Sequence, residues 1–315
     1  MLAIVAITAP IFLLIALGFA AVRADWISRE ATLGMGRYVL SFALPALVFN
    51  ALSKRPLDEI LVPPFLLAYT AGSLIAFAVG VAAAAAVRRT GALDNAFFGM
   101  GVAMSNSGYI GYALVAQLFG AQALIAVAMT MSVEVLVIMP LTLAMAELNA
   151  QQGRGGLLRS LRDVAPMVAK NPIMQAIALG LLCAGLGWQP PAMLTRTVDM
   201  LAGSAAAVAL FAIGGTLAGQ RLHRGLKPAF AIAAGKLLVH PLAVLLMLAL
   251  VPAFDPTLTQ AAVVLAGLPM VTIFPLLAQR YGQGEQCASA LMTTTLLSFL
   301  TLNLGLWLFG LGAAR

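Results

Sequence analysis

The chain contains few charged residues, cysteines and histidines. Only 9% of its 315 residues are charged, and it contains two cysteines and two histidines. Cys183 and Cys287 stand singly in apolar stretches, so neither a disulfide framework nor a metal site is predicted. A Walker loop, a dinucleotide fingerprint, an HExxH motif and a convincing Ser/His/Asp set are all missing. These absences argue against an ATP-driven pump and against the common enzyme classes.

Apolar sequence is abundant, with 62% hydrophobic residues, and this predicts an all-α integral membrane protein. A membrane-spanning helix needs about 20 mostly apolar residues. Ten stretches qualify, and no stretch has the composition of a separate soluble domain. The candidate spans are Leu2–Val22, Thr32–Leu52, Leu61–Val87, Ala92–Gly120, Ala121–Leu148, Pro172–Trp188, Val198–Gly219, Pro228–Pro252, Leu258–Tyr281 and Gln286–Leu311.

The formal charge of +7 is explained by topology rather than by nucleic-acid binding. Alternate loops hold 13 of the 18 lysines and arginines, which places those loops in the cytoplasm and both termini outside. The first span has its positive charges after the apolar run, so we interpret it as a retained span rather than a signal peptide. The expected location is the cell membrane, as a multi-pass protein of a bacterial inner membrane.

The longest connection divides the spans into two equal groups. We expect a first five-helix repeat at 1–148, a cytoplasmic linker at 149–171 with a surface helix near 157–170, and a second five-helix repeat at 172–315. Because five is odd, a homologous second half would enter the membrane from the opposite face. The sequence therefore predicts a 5+5 inverted repeat.

Two spans are interrupted at their centres, and each is the fourth span of its half. The breaks are predicted at Asn106–Gly111 and at Gly267–Pro275. An unsatisfied backbone group costs several kcal/mol in lipid, so such breaks must face protein or a water-filled cavity. Interruptions at corresponding positions of two halves are typical of a transporter's substrate site.

The first break offers Ser105, Asn106, Gly108, Tyr109 and Gly111. Glycine permits non-helical backbone, and the half-helix that follows presents N–H groups and a positive dipole end, which suit a carboxylate. The alternative is a Ser/Asn/Gly face that only packs helices together.

In the second break, Pro269 and Pro275 each lack a backbone N–H, and Thr272 lies between them. Two prolines in one span favour an unwound segment over a simple kink. We take Pro269 and Thr272 as substrate-binding candidates together with Asn50, a weaker candidate because single amides often only bridge helices.

Three ionisable residues lie inside predicted spans: Glu134 in the fifth, and Lys236 and His240 in the eighth. Buried ionisable groups in membranes usually face the bundle interior and serve function. Glu134 is the candidate for a proton or cation site. Lys236 either pairs with a buried charge or reaches the cytoplasmic interface, and His240 is either a packing or a proton-linked residue.

The chain resembles the auxin efflux carrier family, which includes plant PIN-formed carriers and bacterial malonate and malate permease-like proteins. The resemblance covers essentially the whole chain. It is carried by KNPIMQAIALGLL, FAIGGTLAG and LPMVTIFPLLAQRYG, and SNSGYIG and YVLSFALPALVF agree with it.

This resemblance implies a fold of the bile-acid sodium symporter type, in which the broken fourth and ninth helices cross at mid-membrane. Spans 1, 2, 6 and 7 would form a scaffold, often dimeric, and spans 3–5 and 8–10 a moving transport domain. Asn106 and Gly111 match the family's fourth-span residues, and Pro269 and Pro275 its ninth-span prolines. Ala113 departs from the family, which usually has proline there.

The expected function is secondary transport of small organic anions, such as malonate, malate or an auxin-like acid, by an elevator-type movement. No cofactor and no enzymatic activity are expected, and coupling to protons is favoured over sodium because Lys236 would disfavour a sodium site. The expected partners are the anion, the lipid bilayer and a second copy of the chain. A passive channel or facilitator is the alternative, and a membrane-embedded enzyme is a third possibility.

Overall fold

A computed structural model of the chain describes residues 2–88, 92–150, 162, 165–166, 168–218, 226–279 and 281–310. Within these ranges the secondary structure is helical and contains no strand, as predicted. The predicted surface helix near 157–170 falls largely outside the described residues.

Sixteen α-helices, numbered in chain order, account for the described fold, and several run on through a single π- or 3₁₀-helical turn. The helices are α1 Leu2–Arg23, α2 Arg29–Tyr38, α3 Leu44–Ser53, α4 Leu57–Ile60, α5 Pro63–Arg88, α6 Ala92–Ala103, α7 Tyr112–Phe119, α8 Leu124–Val133, α9 Met139–Ala150, α10 Pro172–Leu186, α11 Ala192–Ala218, α12 Leu226–Ala234, α13 His240–Leu248, α14 Pro256–Ala266, α15 Phe274–Gln279 and α16 Gly284–Leu308.

Among the described residues, seven continuous helical stretches are long and apolar enough to cross a membrane. They are Ile4–Arg23, Arg29–Ser53, Leu57–Ala86, Leu124–Leu148, Ala192–Ala218, Lys227–Leu248 and Gly284–Leu308. These stretches confirm a multi-pass membrane protein. The other three predicted spans correspond to one helix of 15 residues, α10, and to the two interrupted segments, so the number ten stays a prediction.

The helices of the two halves pack against each other in a reciprocal pattern. Helix α1 packs along α11, and α3 packs along α10, while α5 of the first half packs on α13 of the second. The backbones of α1 and α11 are in close contact: a side chain at Gly18 would overlap the Phe211 carbonyl, and one at Gly214 would overlap the Ile15 carbonyl. Small residues at such positions let two helix backbones approach, as is usual in membrane bundles.

In the part of the chain that the structure describes, four single π-helical turns interrupt the α-helical geometry, at Val39–Ala43, Ser107–Gly111, Glu134–Ile138 and Gly235–Val239. A π turn shifts the direction of the side chains that follow it and is frequent at functional sites. Glu134 opens the third of these turns, and Lys236 is the second residue of the fourth. Two of the three ionisable residues predicted inside spans therefore lie in π turns.

Candidate functional site

Both interrupted segments leave helical geometry in the structure. Helix α6 ends at Ala103, residues 104–106 are non-helical, and the chain resumes with the π turn Ser107–Gly111 and α7. The break therefore begins two residues before the predicted range and is confined to fewer residues. In the second segment, α14 ends at Ala266, residues 267–273 are non-helical, and α15 follows.

The two breaks contact each other directly through Asn106. Its backbone N–H donates to the Pro269 carbonyl at 2.8 Å, and its side-chain Nδ2 donates to Thr272 Oγ1 at 2.9 Å. The Asn106 carbonyl accepts from the Gly111 N–H at 2.9 Å. Asn106 thus satisfies backbone groups that both interruptions would otherwise leave without partners.

Gly111 allows the close approach of the first segment to α14 and the chain after it. A Cβ atom there would lie 2.7 Å from Leu265 Cδ2 and 2.9 Å from Leu268 Cδ1. Larger side chains at position 111 would push the two segments apart.

Glu134, in the helical stretch Leu124–Leu148, accepts hydrogen bonds from residues of the first break and of the π turn that follows it. Its Oε1 accepts from the Ser105 backbone N–H and from Ser107 Oγ, both at 2.9 Å, and its side chain is buried. A carboxylate in this position faces the N-terminal end of the π turn and α7, where the helix dipole is positive. Glu134 therefore fixes the positions of the residues immediately before and after Asn106 by hydrogen bonds.

Lys236 joins the two breaks from the side of the second half. Its Nζ donates to Ser105 Oγ at 2.9 Å, to the Ala266 carbonyl at 2.6 Å and to His240 Nδ1 at 2.8 Å. An ammonium has three N–H donors, so all of them are committed. The Ala266 carbonyl is at the C-terminal end of α14, where a cation is favourable.

The charges of Glu134 and Lys236 meet through Ser105 and not by a direct ion pair. Ser105 uses its backbone N–H for the carboxylate and its hydroxyl for the ammonium. Each buried charge also faces the end of a half-helix with the opposite dipole. This arrangement explains how two ionisable groups remain buried in a membrane protein.

The polar cluster described so far consists of Ser105, Asn106, Ser107, Glu134, Lys236 and Thr272. His240 and its neighbours extend this polar cluster toward α5. Because Nδ1 accepts from the Lys236 ammonium, the ring proton lies on Nε2, which donates to Ser73 Oγ at 3.0 Å. The Tyr69 ring meets His240 edge to face, with centroids 5.7 Å apart, and its hydroxyl lies 3.5 Å from Ser105 Oγ. His240 is therefore a neutral hydrogen-bonded residue within the cluster.

The residues of the two breaks differ in their burial. Ser105, Asn106 and Ser107 are buried, whereas Gly108, Tyr112, Val271 and Thr272 are half-buried. Thr272 is the more exposed member of the Asn106–Thr272 pair. The backbone N–H groups of Ser105 and Asn106 already have partners, so a ligand would rely on these side chains and on the half-helix dipoles.

The remaining predicted residues lie in different surroundings. The Tyr109 hydroxyl donates to the Gly36 carbonyl at 3.3 Å, and Pro269 is buried with its carbonyl on Asn106. Asn50 does not bond to either interrupted segment in the contacts described. Its Nδ2 donates to Asp199 Oδ1 at 2.7 Å, and the same oxygen also accepts from Lys54.

Pro275 and Gly108 shape the chain rather than offer hydrogen bonds. Pro275 is the second residue of α15, where a helix needs no N–H from it, so it begins the second half-helix. Gly108 lies in the π turn, and a Cβ there would be 3.0 Å from Leu44 Cδ1, so small size is favoured at that position.

Three residues in or beside the polar cluster were not singled out from the sequence: Tyr69, Ser73 and Thr130. Tyr69 and Ser73 are four residues apart on α5, and Thr130 precedes Glu134 by the same interval. Polar residues at a spacing of four inside an apolar span share a helix face. That spacing, taken with the ionisable residues, is the signal that could have found them.

Comparison with known proteins gives the family. A family model described as membrane transport protein matches residues 3–307. The chain belongs to this family of auxin efflux carriers. Over 308 residues it is 33% identical to a protein of Rhizobium meliloti named "Putative malonate transporter", covering 96% of this chain and 95% of that protein. It is 22% identical over 304 residues to the "Uncharacterized transporter YfdV" of Escherichia coli, covering 95% of each.

Membership of the family settles the general class of the protein. The matched residues include both interrupted segments, Glu134, Lys236 and His240. The chain is therefore a multi-pass membrane transport protein and not an enzyme.

Proposed function

We propose that the protein is a secondary active transporter of small organic anions and that the anion binds beside Asn106 where the two interrupted segments meet. The observation that supports this most strongly is the Asn106–Thr272 hydrogen bond of 2.9 Å between the two breaks. A ligand that engages this pair contacts both halves of the chain at once. Such a position suits a site that opens to each side of the membrane in turn.

Carboxylates are the substrate class that this site fits best. The Asn106 amide and the Thr272 hydroxyl can donate to a carboxylate, and the α7 half-helix points its positive end at the break. Lys236 is not a ligand in this proposal, because its three donors are committed to Ser105, Ala266 and His240. The name of the Rhizobium meliloti relative makes malonate the first substrate to test, with malate and an auxin-like acid as further members of the class.

We further propose the 5+5 inverted repeat and the elevator movement. In an inverted repeat, span 1 is equivalent to span 6 and span 2 to span 7, so the pair formed by spans 1 and 7 is equivalent to the pair formed by spans 6 and 2. The reciprocal contacts of α1 with α11 and of α10 with α3 have this form, and they support the repeat. In this proposal they belong to the scaffold, and the polar cluster belongs to the moving domain.

The proposed setting is a bacterial inner membrane with both termini outside, and the proposed assembly is a homodimer. Large apolar side chains such as Leu182, Met193 and Met200 are exposed on α10 and α11, which supports a lipid-facing or partner-facing scaffold surface. The proposal includes no cofactor.

A thermal-shift screen tests the substrate class. Ligand that binds the folded state raises its apparent stability by about 2.7 kcal/mol at a concentration 100 times Kd. We expect malonate and related carboxylates to raise the melting temperature of the purified protein, with sodium making no difference to the shift. Matched uncharged amides, such as malonamide, serve as the control, and equal shifts from amides and acids would contradict an anion site.

A further inference from the structure

We propose that Glu134 takes up one proton when a carboxylate binds beside Asn106, so that the protein moves the anion together with a proton. This inference rests on the proposed function and adds the coupling ion and the residue that carries it. The proton comes from water on the side where the anion enters, and it is returned to water on the side where the anion leaves. The carboxylate of Glu134 becomes a carboxylic acid and then a carboxylate again in each cycle.

The position of Glu134 at the break brings two carboxylates together when substrate is bound. Its Oε1 accepts from Ser105 N–H and Ser107 Oγ, the neighbours of Asn106 in the chain. Asn106 lies between these two residues, and adjacent Cα atoms are about 3.8 Å apart, so an anion on the Asn106 side chain is close enough for its charge to repel that of Glu134. Two carboxylates that share one site do not both stay ionised, and one of them takes a proton.

No other group that faces Glu134 can balance the added negative charge among the described residues. Tyr69 from α5 and Lys236 from the Gly235–Val239 turn interact electrostatically with it, and His240 lies behind Lys236. The ammonium already compensates Glu134 and has no donor left, and His240 Nδ1 accepts from it. The phenol of Tyr69 can only add a negative charge.

The charged residues of the packed helices α5 and α6 lie toward helix ends: Arg88 ends α5, 19 residues or about 28 Å along the axis beyond Tyr69, and Asp94 is in the first turn of α6. Helices α3, α8 and α14, which surround this part of the bundle, contain no acidic or basic residue. Glu147 is on the continuation of the same helix, but it is 13 residues away, or about 20 Å along the axis. Glu134 is therefore the group at which the charge is balanced.

Thr130 supplies an independent observation. It is fully buried, and its Oγ1 is the one buried side-chain N or O atom among the described residues that has no hydrogen-bond partner, although the Tyr69 hydroxyl is near. It lies four residues before Glu134 and therefore on the same face of the helix. An ionised carboxylate only accepts hydrogen bonds, whereas the acid form has an O–H that needs an acceptor. In this proposal the Thr130 oxygen accepts that O–H when Glu134 is protonated.

Proteoliposomes that contain a pH-sensitive dye test the coupling with labelled malonate as the probe. For the wild-type protein we expect about one proton to be taken up per malonate at Glu134. Glu134→Gln imitates the protonated form and keeps an oxygen for Ser105 and Ser107. This variant should transport malonate while losing the Glu134-linked proton movement, and Glu59→Gln, at an exposed carboxylate, should behave as the wild type.

Thr130→Val gives a second readout. Because the hydroxyl favours the acid form of Glu134, its removal should move the pH of half-maximal malonate uptake to a lower value, and Thr130→Ser should restore it. The control is Thr142→Val, since the buried Thr142 hydroxyl already donates to the Ile138 carbonyl on the same helix at 2.8 Å. Its pH profile should match the wild type.

The outcomes separate this inference from the proposed function. Malonate uptake without proton movement in the wild type, or an unchanged proton ratio in Glu134→Gln, would overturn the inference alone. Absence of uptake of every carboxylate tested would overturn the proposed function and the inference with it. Loss of proton movement in Glu134→Gln with uptake retained, together with the Thr130→Val shift, would support both.

Discussion

Asn106→Ala is expected to lower the affinity of the purified protein for malonate by about 10- to 100-fold, because a hydrogen bond to a charged group contributes about 1.5–3 kcal/mol. The substitution removes the amide that would contact the anion and releases Thr272 from its hydrogen bond. It leaves the backbone bonds from Asn106 to Pro269 and from Gly111 to Asn106 in place. The break should therefore keep its geometry while the site loses its ligand. Isothermal titration calorimetry in detergent measures the change.

Asn303→Ala is the matched control for this substitution. Asn303 is also a buried amide, and it lies in helix α16, where its side chain bonds to Thr8 Oγ1 and to the Phe299 carbonyl. Its removal should affect stability without changing the affinity for malonate. Equal affinities of the wild type and Asn106→Ala would show that the anion binds elsewhere.

Lys236→Met should destabilise the protein more than Asn106→Ala or Asn303→Ala does. Methionine fills a similar volume, but it leaves Ser105 Oγ, the Ala266 carbonyl and His240 Nδ1 without their donor. It also removes the cation that compensates Glu134. Removing one member of a buried charge pair costs about 3–5 kcal/mol. Reversible unfolding in a denaturing detergent, followed by circular dichroism, would show the loss.

Two further variants show whether Lys236→Met destabilises the protein because the buried positive charge is lost. Lys54→Met removes an ion pair with Asp199 whose side chains are both 49% exposed, and such pairs contribute about 0–1 kcal/mol. Lys236→Met combined with Glu134→Gln should recover part of the lost stability, because the uncompensated carboxylate is then gone. If the double variant were no more stable than Lys236→Met alone, the two charges would not depend on each other.

Much of the fold could be predicted from composition and from the residues that break helices. Long apolar stretches predicted the helical membrane protein, and the proline and glycine residues of Gly267–Pro275 predicted an interruption where the structure has residues 267–273 outside helix. Both predictions depend on properties of single segments. Apolar length and a missing backbone N–H are visible in the sequence itself.

The sequence predicted the position of the first break less accurately than that of the second, and the reason is physical. Glycines pointed to Asn106–Gly111, yet the non-helical residues are 104–106. Tertiary partners fix these residues, since Glu134 holds the Ser105 N–H and the Pro269 carbonyl holds the Asn106 N–H. Local sequence does not contain that information. The first break forms with Ala113 inside the helix that follows it, after the π turn Ser107–Gly111, so a proline at 113 is not needed to form this break.

Side-chain roles were the hardest part to predict. Sequence placed Glu134, Lys236 and His240 inside spans, but their distances to each other depend on how three helices pack. The structure joins Glu134 and Lys236 through Ser105, and it places Asn50 on Asp199 instead of at the crossing. The assignment of substrate-binding residues stays a prediction for Asn106 and Thr272.

Malonate counterflow is the most direct measurement of whether the crossing of the two interrupted segments is an alternating-access site. Proteoliposomes loaded with unlabelled malonate are diluted into a trace of labelled malonate. A carrier that reorients with substrate bound should accumulate the label transiently above its equilibrium level, with a rate that saturates as malonate increases. With Asn106→Ala, the same overshoot should require about 10- to 100-fold more malonate. Non-saturable equilibration without an overshoot would contradict a carrier and indicate a passive channel.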